Sequence, residues 1–169
     1  KRGFEDILKM TTEIGIDIIQ PLISERQIKK ISNQSLKMDR WDSIINESVE
    51  QSERLWRPEL YNFIELYDWI NSLNKNDFVS ISVTRNGNNI GLRNWISNIK
   101  IIKEKNFIIW NVIGPEGGWS TNEIENFRNL KMQFIKLSEN ILRTSTAAIN
   151  TASVLAECRD EVMSSIYNS

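Results

Sequence analysis

The 169-residue sequence predicts an α/β fold, a mostly parallel sheet with helices on both faces. Stretches with helical spacing alternate along the chain with short β-rich runs. The strongest apolar run, Phe107 to Val112, feeds a turn in which Gly114, Gly117 and Gly118 surround Pro115 and Glu116. A second short strand, Met132 to Leu137, leads through a polar loop into a long helix. Ligands of such sheets sit beyond the carboxyl ends of the strands, where both loops fall.

The elements follow in order. Phe4, Ile7, Leu8, Thr11 and Ile14 keep helical spacing, and Gly15 is placed to end that helix. Asp17 to Leu22 reads as a short strand running into a loop. Asp39 to Arg54 is the clearest helix, with Trp41, Ile44, Ile45 and Val49 on one stripe, and Pro58 stops any continuation. Leu60, Phe63, Ile64, Tyr67 and Ile70 mark another helix, followed by a polar turn from Asn71 to Asp77. Phe78 to Thr84 reads as a strand, and Arg85 to Asn89 as a mobile loop. Leu92, Trp95, Ile96 and Ile99 give a short helix. After the glycine turn, Ser120-Thr121-Asn122-Glu123 is a capping box that opens a helix. The last helix runs from Thr144 to about Met163, with Ala147, Thr151, Val154, Leu155, Cys158 and Val162 on one face. That apolar face exceeds the needs of one sheet face. No internal repeat or low-complexity linker interrupts the pattern.

Composition removes several kinds of chemistry. The chain has no histidine, which excludes Ser-His and Cys-His nucleophiles, imidazole acid–base catalysis and histidine metal sites. Its one cysteine, Cys158, excludes an internal disulfide and a cysteine zinc cluster, and its apolar neighbours mark a packed thiol. A net charge of −1 gives no general nucleic-acid signal. No apolar run approaches membrane-spanning length and no signal peptide is visible, so the expected setting is the cytoplasm. The glycine turn itself admits two readings. It is an ordinary tight connection, or a place where glycine lets a ligand approach the backbone and a helix start offers unpaired N–H groups. A phosphate-binding enzyme is the least favoured alternative, because no lysine follows the glycines as a P-loop requires.

Two motifs about thirty residues apart decide between these readings. Ile113-Gly114-Pro115-Glu116-Gly117-Gly118-Trp119-Ser120 is paired with Leu137-x-x-x-Ile141-Leu142-Arg143-Thr144-x-Thr146-Ala147. This pairing resembles the SPOUT superfamily of trefoil-knotted methyltransferases, and within it the 16S rRNA (uracil-N3)-methyltransferase family. Thr12-Glu13-Ile14-Gly15, Pro21-Leu22-x-Ser24-Glu25-Arg26, Arg40-Trp41, Glu50-Gln51-Ser52-x-Arg54 and Pro58 agree, so the resemblance covers nearly the whole chain.

The resemblance implies a C-terminal trefoil knot, S-adenosylmethionine as cofactor, and 16S rRNA of the small ribosomal subunit as partner. It implies that Ile113, Gly114, Glu116, Gly118, Leu137, Ser138, Ile141, Leu142 and Thr146 hold the cofactor. Ile141 and Leu142 are expected to be buried-type residues that sandwich the adenine. Arg143 fits a catalytic role, stabilising the anion that develops on the base, with a surface salt-bridge partner as the alternative. Arg26, Gln51 and Arg54 are candidate RNA contacts that solvated charges explain equally well. A homodimer is expected, with neither metal nor membrane. Family members carry a barrel-like N-terminal RNA-binding domain and a first strand that have no counterpart here, so residues 1–169 are expected to form the catalytic domain alone. Ser138 stands where the family commonly has glycine, and Ser145 where it commonly has glutamate. A knotted methyltransferase for another RNA position, and a non-catalytic RNA-binding or dimerisation module, remain open beside the main reading.

Overall fold

A computed structural model describes residues 2–27, 34–84, 89–99 and 106–167. These fall into two compact units. The first takes in the described residues up to Pro21, from the second helix to Phe63, and from Ser145 onward. The second takes in the remainder from Leu22 and from Ile64 to Thr144.

In the first unit, helix α1 (Arg2–Ile14) buries Leu8 and Thr11 of the predicted stripe and half-buries Phe4, Ile7 and Ile14, while Thr12, which the spacing did not include, is also buried. It stops at Gly15, whose φ of +112° only glycine adopts readily, and Ile16 N–H closes back on the Thr11 carbonyl at 3.1 Å. Helix α2 (Gln34–Gln51) packs on α1 through Leu8, Trp41 and Ile45, with the Trp41 ring between Phe4 and Phe63 at 4.3 and 4.9 Å. It begins five residues before the expected start and ends three before the expected end, because Glu53 turns left-handed at φ 54°. Strand β1 (Ile18–Ile19) pairs in parallel with β3 (Glu59–Leu60), and helix α6 (Thr144–Tyr167) supplies the C-terminal part. Ala147, Thr151, Ala152, Ala156 and Cys158 of α6 are buried, as expected for Ala147, Thr151 and Cys158.

Two expectations fail here. The predicted strand from Asp17 to Leu22 is split, because Pro21 has no N–H to offer a ladder, and β1 gives way to a separate β2 (Leu22–Ile23). The predicted helix over Leu60 to Ile70 is mostly absent. Its first half is taken by β3 and by β4 (Ile64–Glu65), which pairs in parallel with β2, and only α3 (Leu66–Ser72) is helical. Parallel pairing with distant residues claims the backbone that local spacing assigned to a helix.

The second unit is built on a four-stranded parallel sheet of β5 (Phe78–Ser82), β6 (Ile90–Gly91), β7 (Ile109–Val112) and β8 (Gln133–Lys136), in the order β6–β8–β5–β7. Helices α4 (Leu92–Ser97) and α5 (Thr121–Asn129) and the earlier α3 accompany it. Ile81 is completely buried between Val112 on one side and Phe134 on the other, and Ile135 pairs with Ile90. Leu66, Trp69, Ile81, Val112 and Phe127 form the core, with Trp119 set edge-on to Phe127 at 5.1 Å. The α/β class and the parallel sheet are therefore as predicted. The two-residue β6 was not foreseen, and the loop expected at Arg85 to Asn89 lies, except for Asn89, outside the described residues. Among the described residues, no helix is long and apolar enough to cross a membrane, and no cluster of three or more acidic, histidine or cysteine side chains could hold a metal ion.

Candidate functional site

All strands of the sheet run the same way, so the loops after β7 and β8 leave from its carboxyl edge. The first is the glycine turn. Gly118 N–H donates to the Pro115 carbonyl at 2.8 Å, and Gly118 takes a φ of +68°, leaving Glu116 and Gly117 exposed at the tip. Gly114 has a different reason to be glycine: a Cβ there would lie 3.0 Å from the Trp119 ring. That ring is fixed in turn, since its Nε1–H donates to the Ser82 carbonyl at 3.0 Å. Beneath it, Ser80, Ser82 and Asn111 of the neighbouring strands β5 and β7 are linked by side-chain hydrogen bonds of 2.9 Å.

The turn ends in the predicted capping box, with both of its hydrogen bonds formed. Ser120 Oγ accepts from Glu123 N–H at 3.0 Å, and Glu123 Oε2 accepts from Ser120 N–H at 2.7 Å. Glu123 is fully buried, and its other oxygen accepts the Glu25 N–H at 3.0 Å. This second bond spans 98 residues, so no local pattern announces it. The segment it captures adds two more contacts. Arg26 Nη1 donates to the Gly117 carbonyl at 3.0 Å, and Tyr67 OH donates to Glu25 at 3.0 Å. Hydrogen bonding from the Ser120 side chain, then from Tyr67, holds the Glu25 carboxyl below the usual glutamate range.

The second loop, after β8, is tied to the first by one hydrogen bond: Thr144 Oγ1 donates to the Gly114 carbonyl at 3.1 Å. Between them, Leu137 and Leu142 are half-buried and Ser138 Oγ accepts the Asn140 N–H at 3.1 Å. Ser138 is not among the residues with positive φ, so serine sits at this position without backbone strain. Ile141 departs from expectation. It is 62% exposed rather than buried, an apolar side chain displayed on the loop surface. Arg143 is exposed, with no ion pair or hydrogen bond among the described residues.

Of the sequence-predicted site residues, Ile113, Gly114, Glu116, Gly118, Leu137, Ser138, Ile141, Leu142 and Arg143 thus lie on the two loops of the second unit, joined by Arg26. Thr146 is exposed in the first turn of α6, and it belongs with Gln51 and Arg54 to the first unit. Gln51 is the exposed last residue of α2. Arg54 is engaged within the fold: its Nη1 donates to the carbonyls of Thr12 and Ile16 at 2.8 and 3.1 Å, and burial lowers its pKa. Sequence reasoning placed Trp119 and Thr144 in the motifs but gave neither a role, and it missed Ser82 and the bridging role of Glu123. The capping box signals Glu123 but reveals half of its contacts.

Comparison with known proteins points one way. A family model described as an RNA methyltransferase domain matches residues 1–156. The Ribosomal RNA small subunit methyltransferase E of Synechocystis is 34% identical over 86% of this chain, and that of Mesomycoplasma hyopneumoniae is 33% identical over 88%. The chain spans 46% and 61% of those two relatives' lengths. Among solved structures, the Legionella pneumophila protein Lpg2936, in complex with the bound cofactor SAM, is similar with a TM-score of 0.76 at 28% identity, covering 92% of this chain and 61% of its own.

Proposed function

Because the chain belongs to the RNA methyltransferase domain family, we propose that it is the catalytic domain of an S-adenosylmethionine-dependent enzyme that methylates N3 of a uridine in 16S rRNA. The observation that carries this reading is the Thr144–Gly114 hydrogen bond, which joins the two motif loops at the carboxyl edge of one parallel sheet. The loops fit the cofactor in chemistry. Ile113, Leu137 and Leu142 are half-buried, and Ile141 offers a large apolar surface with nothing covering most of it, as an adenine sandwich requires. Backbone groups around Gly114, Gly118 and Ser138 would hold its polar edges, with Glu116 as a further contact. The relatives' name and the SAM bound to Lpg2936 support the same assignment.

S-adenosylmethionine, when bound, supplies an electrophilic methyl group. The residues' task is to align that methyl with the base and to make the base nucleophilic. Uracil N3 attacks only after losing its proton. With no histidine in the chain, a carboxylate, a hydroxyl or electrostatic assistance from arginine must help. Arg143, exposed on the cofactor loop and without an ion-pair partner among the described residues, stabilises the resulting anion. Arg26 contacts the RNA beside the glycine turn, with Gln51 as a further contact; the engagement of Arg54 by two carbonyls makes it the weakest of the three.

The order β6–β8–β5–β7 inserts the last strand between two earlier ones, which supports a C-terminal trefoil knot. The family's pairing through knot-proximal helices supports a homodimer, and sedimentation showing monomer alone at micromolar concentration would contradict it. An N-terminal RNA-binding domain completes the enzyme, consistent with the chain's share of its relatives' length. A ribosomal substrate supports a cytoplasmic setting for the reaction. N3 methylation removes the Watson–Crick donor of uracil, so the test is primer extension on small-subunit RNA treated with cofactor and the chain joined to such a domain. A new block at one uridine is expected. Methyl incorporation without such a block would move the target to another atom.

A further inference from the structure

The tip of the glycine turn has little to hold it in shape. Its own backbone supplies one hydrogen bond, from Gly118 to Pro115, and Gly117 and Gly118 lack the side chains that would restrict it. What holds it comes from far away in sequence. Residues 24–27 form a turn of their own, closed by Gln27 N–H on the Ser24 carbonyl at 3.1 Å. This turn grips the glycine turn at both ends: Arg26 on the Gly117 carbonyl, and the Glu25 N–H on the buried carboxylate that also holds Ser120. A capping-box glutamate at an ordinary helix start needs one oxygen for its task and leaves the other to water. Here the second oxygen is withdrawn from water and aimed at a backbone donor.

We infer that Glu123 is a positioning residue for the cofactor, acting through the turn 24–27 to hold the glycine turn in its receiving shape before the cofactor arrives. The inference rests on the cofactor reading above and adds a device to it. Without the clamp, binding itself must order a glycine-rich loop, and affinity falls by that cost. With it, the loop is already in place. The clamp also ties Arg26 to the same carbonyl network, so that RNA contact at this arginine and cofactor contact at the turn bear on one piece of backbone.

The test exploits the position of Glu25. It is the second residue of a four-residue turn, where proline is favoured, so Glu25→Pro deletes the N–H that Glu123 accepts while suiting the turn. Glu25→Ala keeps that N–H and removes only the side chain. S-adenosylmethionine is titrated calorimetrically into the wild type, both variants, Glu123→Gln and the Glu25→Pro/Glu123→Gln double variant. Each is held well below its own melting temperature. Glu25→Ala serves as the reference that loses the side chain and keeps the N–H, and Glu25→Pro and Glu123→Gln are expected to bind about tenfold more weakly than it, the scale of one lost hydrogen bond. The double variant should be little weaker than either single one, because both break the same bond. Equal affinity for Glu25→Pro and Glu25→Ala overturns the inference, as does a lowered melting temperature for Glu123→Gln with unchanged affinity. Absence of binding by the folded wild type overturns the cofactor reading itself, and this inference with it.

Discussion

Gly114 and Gly118 sit four residues apart in one turn and are glycine for unrelated reasons, which makes them separable by experiment. At Gly118 nothing lies within 4 Å of a would-be Cβ, and only the φ of +68° resists a side chain. Gly118→Ala should therefore cost about 1–2 kcal/mol, the penalty of a left-handed L-residue. At Gly114 the new methyl would press on the Trp119 ring, which the bond to Ser82 prevents from withdrawing. Gly114→Ala should cost about 1–3 kcal/mol as overpacking and also displace the carbonyl that Thr144 holds. Thermal unfolding of both, beside cofactor titration, should show affinity falling further for Gly114→Ala. Arg143→Ala should behave in the opposite way. An exposed side chain with no ion pair or hydrogen bond among the described residues contributes little to the fold, so stability and cofactor affinity should persist. Single-turnover methylation should slow on the order of a hundredfold, as for loss of one electrostatic donor. An unchanged rate constant would return Arg143 to an ordinary surface charge.

Elements were legible where their cause is local. The Gly15 stop, the Ser120–Glu123 capping box and the strands around both motif loops follow from residues within a few positions of one another. The helix expected over Leu60 to Ile70 was misread because Leu60 and Ile64 do fall at helical spacing, while strands some forty residues earlier claim their backbone. The same contrast divides the site. The glycines and the motif residues could be read directly, whereas the Thr144–Gly114 and Glu25–Glu123 bonds join segments that no periodicity relates. Ile141 was misassigned as buried because hydrophobicity alone does not distinguish a core residue from one displayed toward a ligand. At this scale the start of α5 carries a pH signature. The Glu25 carboxyl is lowered chiefly by hydrogen bonds from Ser120 and Tyr67, which outweigh an opposing effect of burial, with Asn122 and the Arg26 charge adding to the lowering. A depressed folded pKa contributes stability above the ordinary glutamate range and loses it as pH falls through the folded value. The melting-temperature gap between wild type and Glu25→Gln should accordingly be present at neutral pH and close in acid. A gap independent of pH would show that the carboxylate charge is not what these groups recognise.

At the scale of the whole molecule, charge and length set the expectation. A net charge of −1 offers little for phosphate contacts, which supply most non-specific RNA affinity. The 169-residue chain should bind small-subunit RNA weakly, and joining the proposed RNA-binding domain should strengthen binding and steepen its salt dependence. Equal affinity with and without that domain would place recognition in this chain instead. Both proposed cofactor loops, and the turn that clamps the first of them, belong to one unit, so the proposal expects cofactor binding without such a domain. The most direct measurement is therefore titration of S-adenosylmethionine into the chain alone, followed by calorimetry. Saturable binding that Gly114→Ala weakens is the predicted result; no binding to a sample shown to be folded would contradict the assignment at its root.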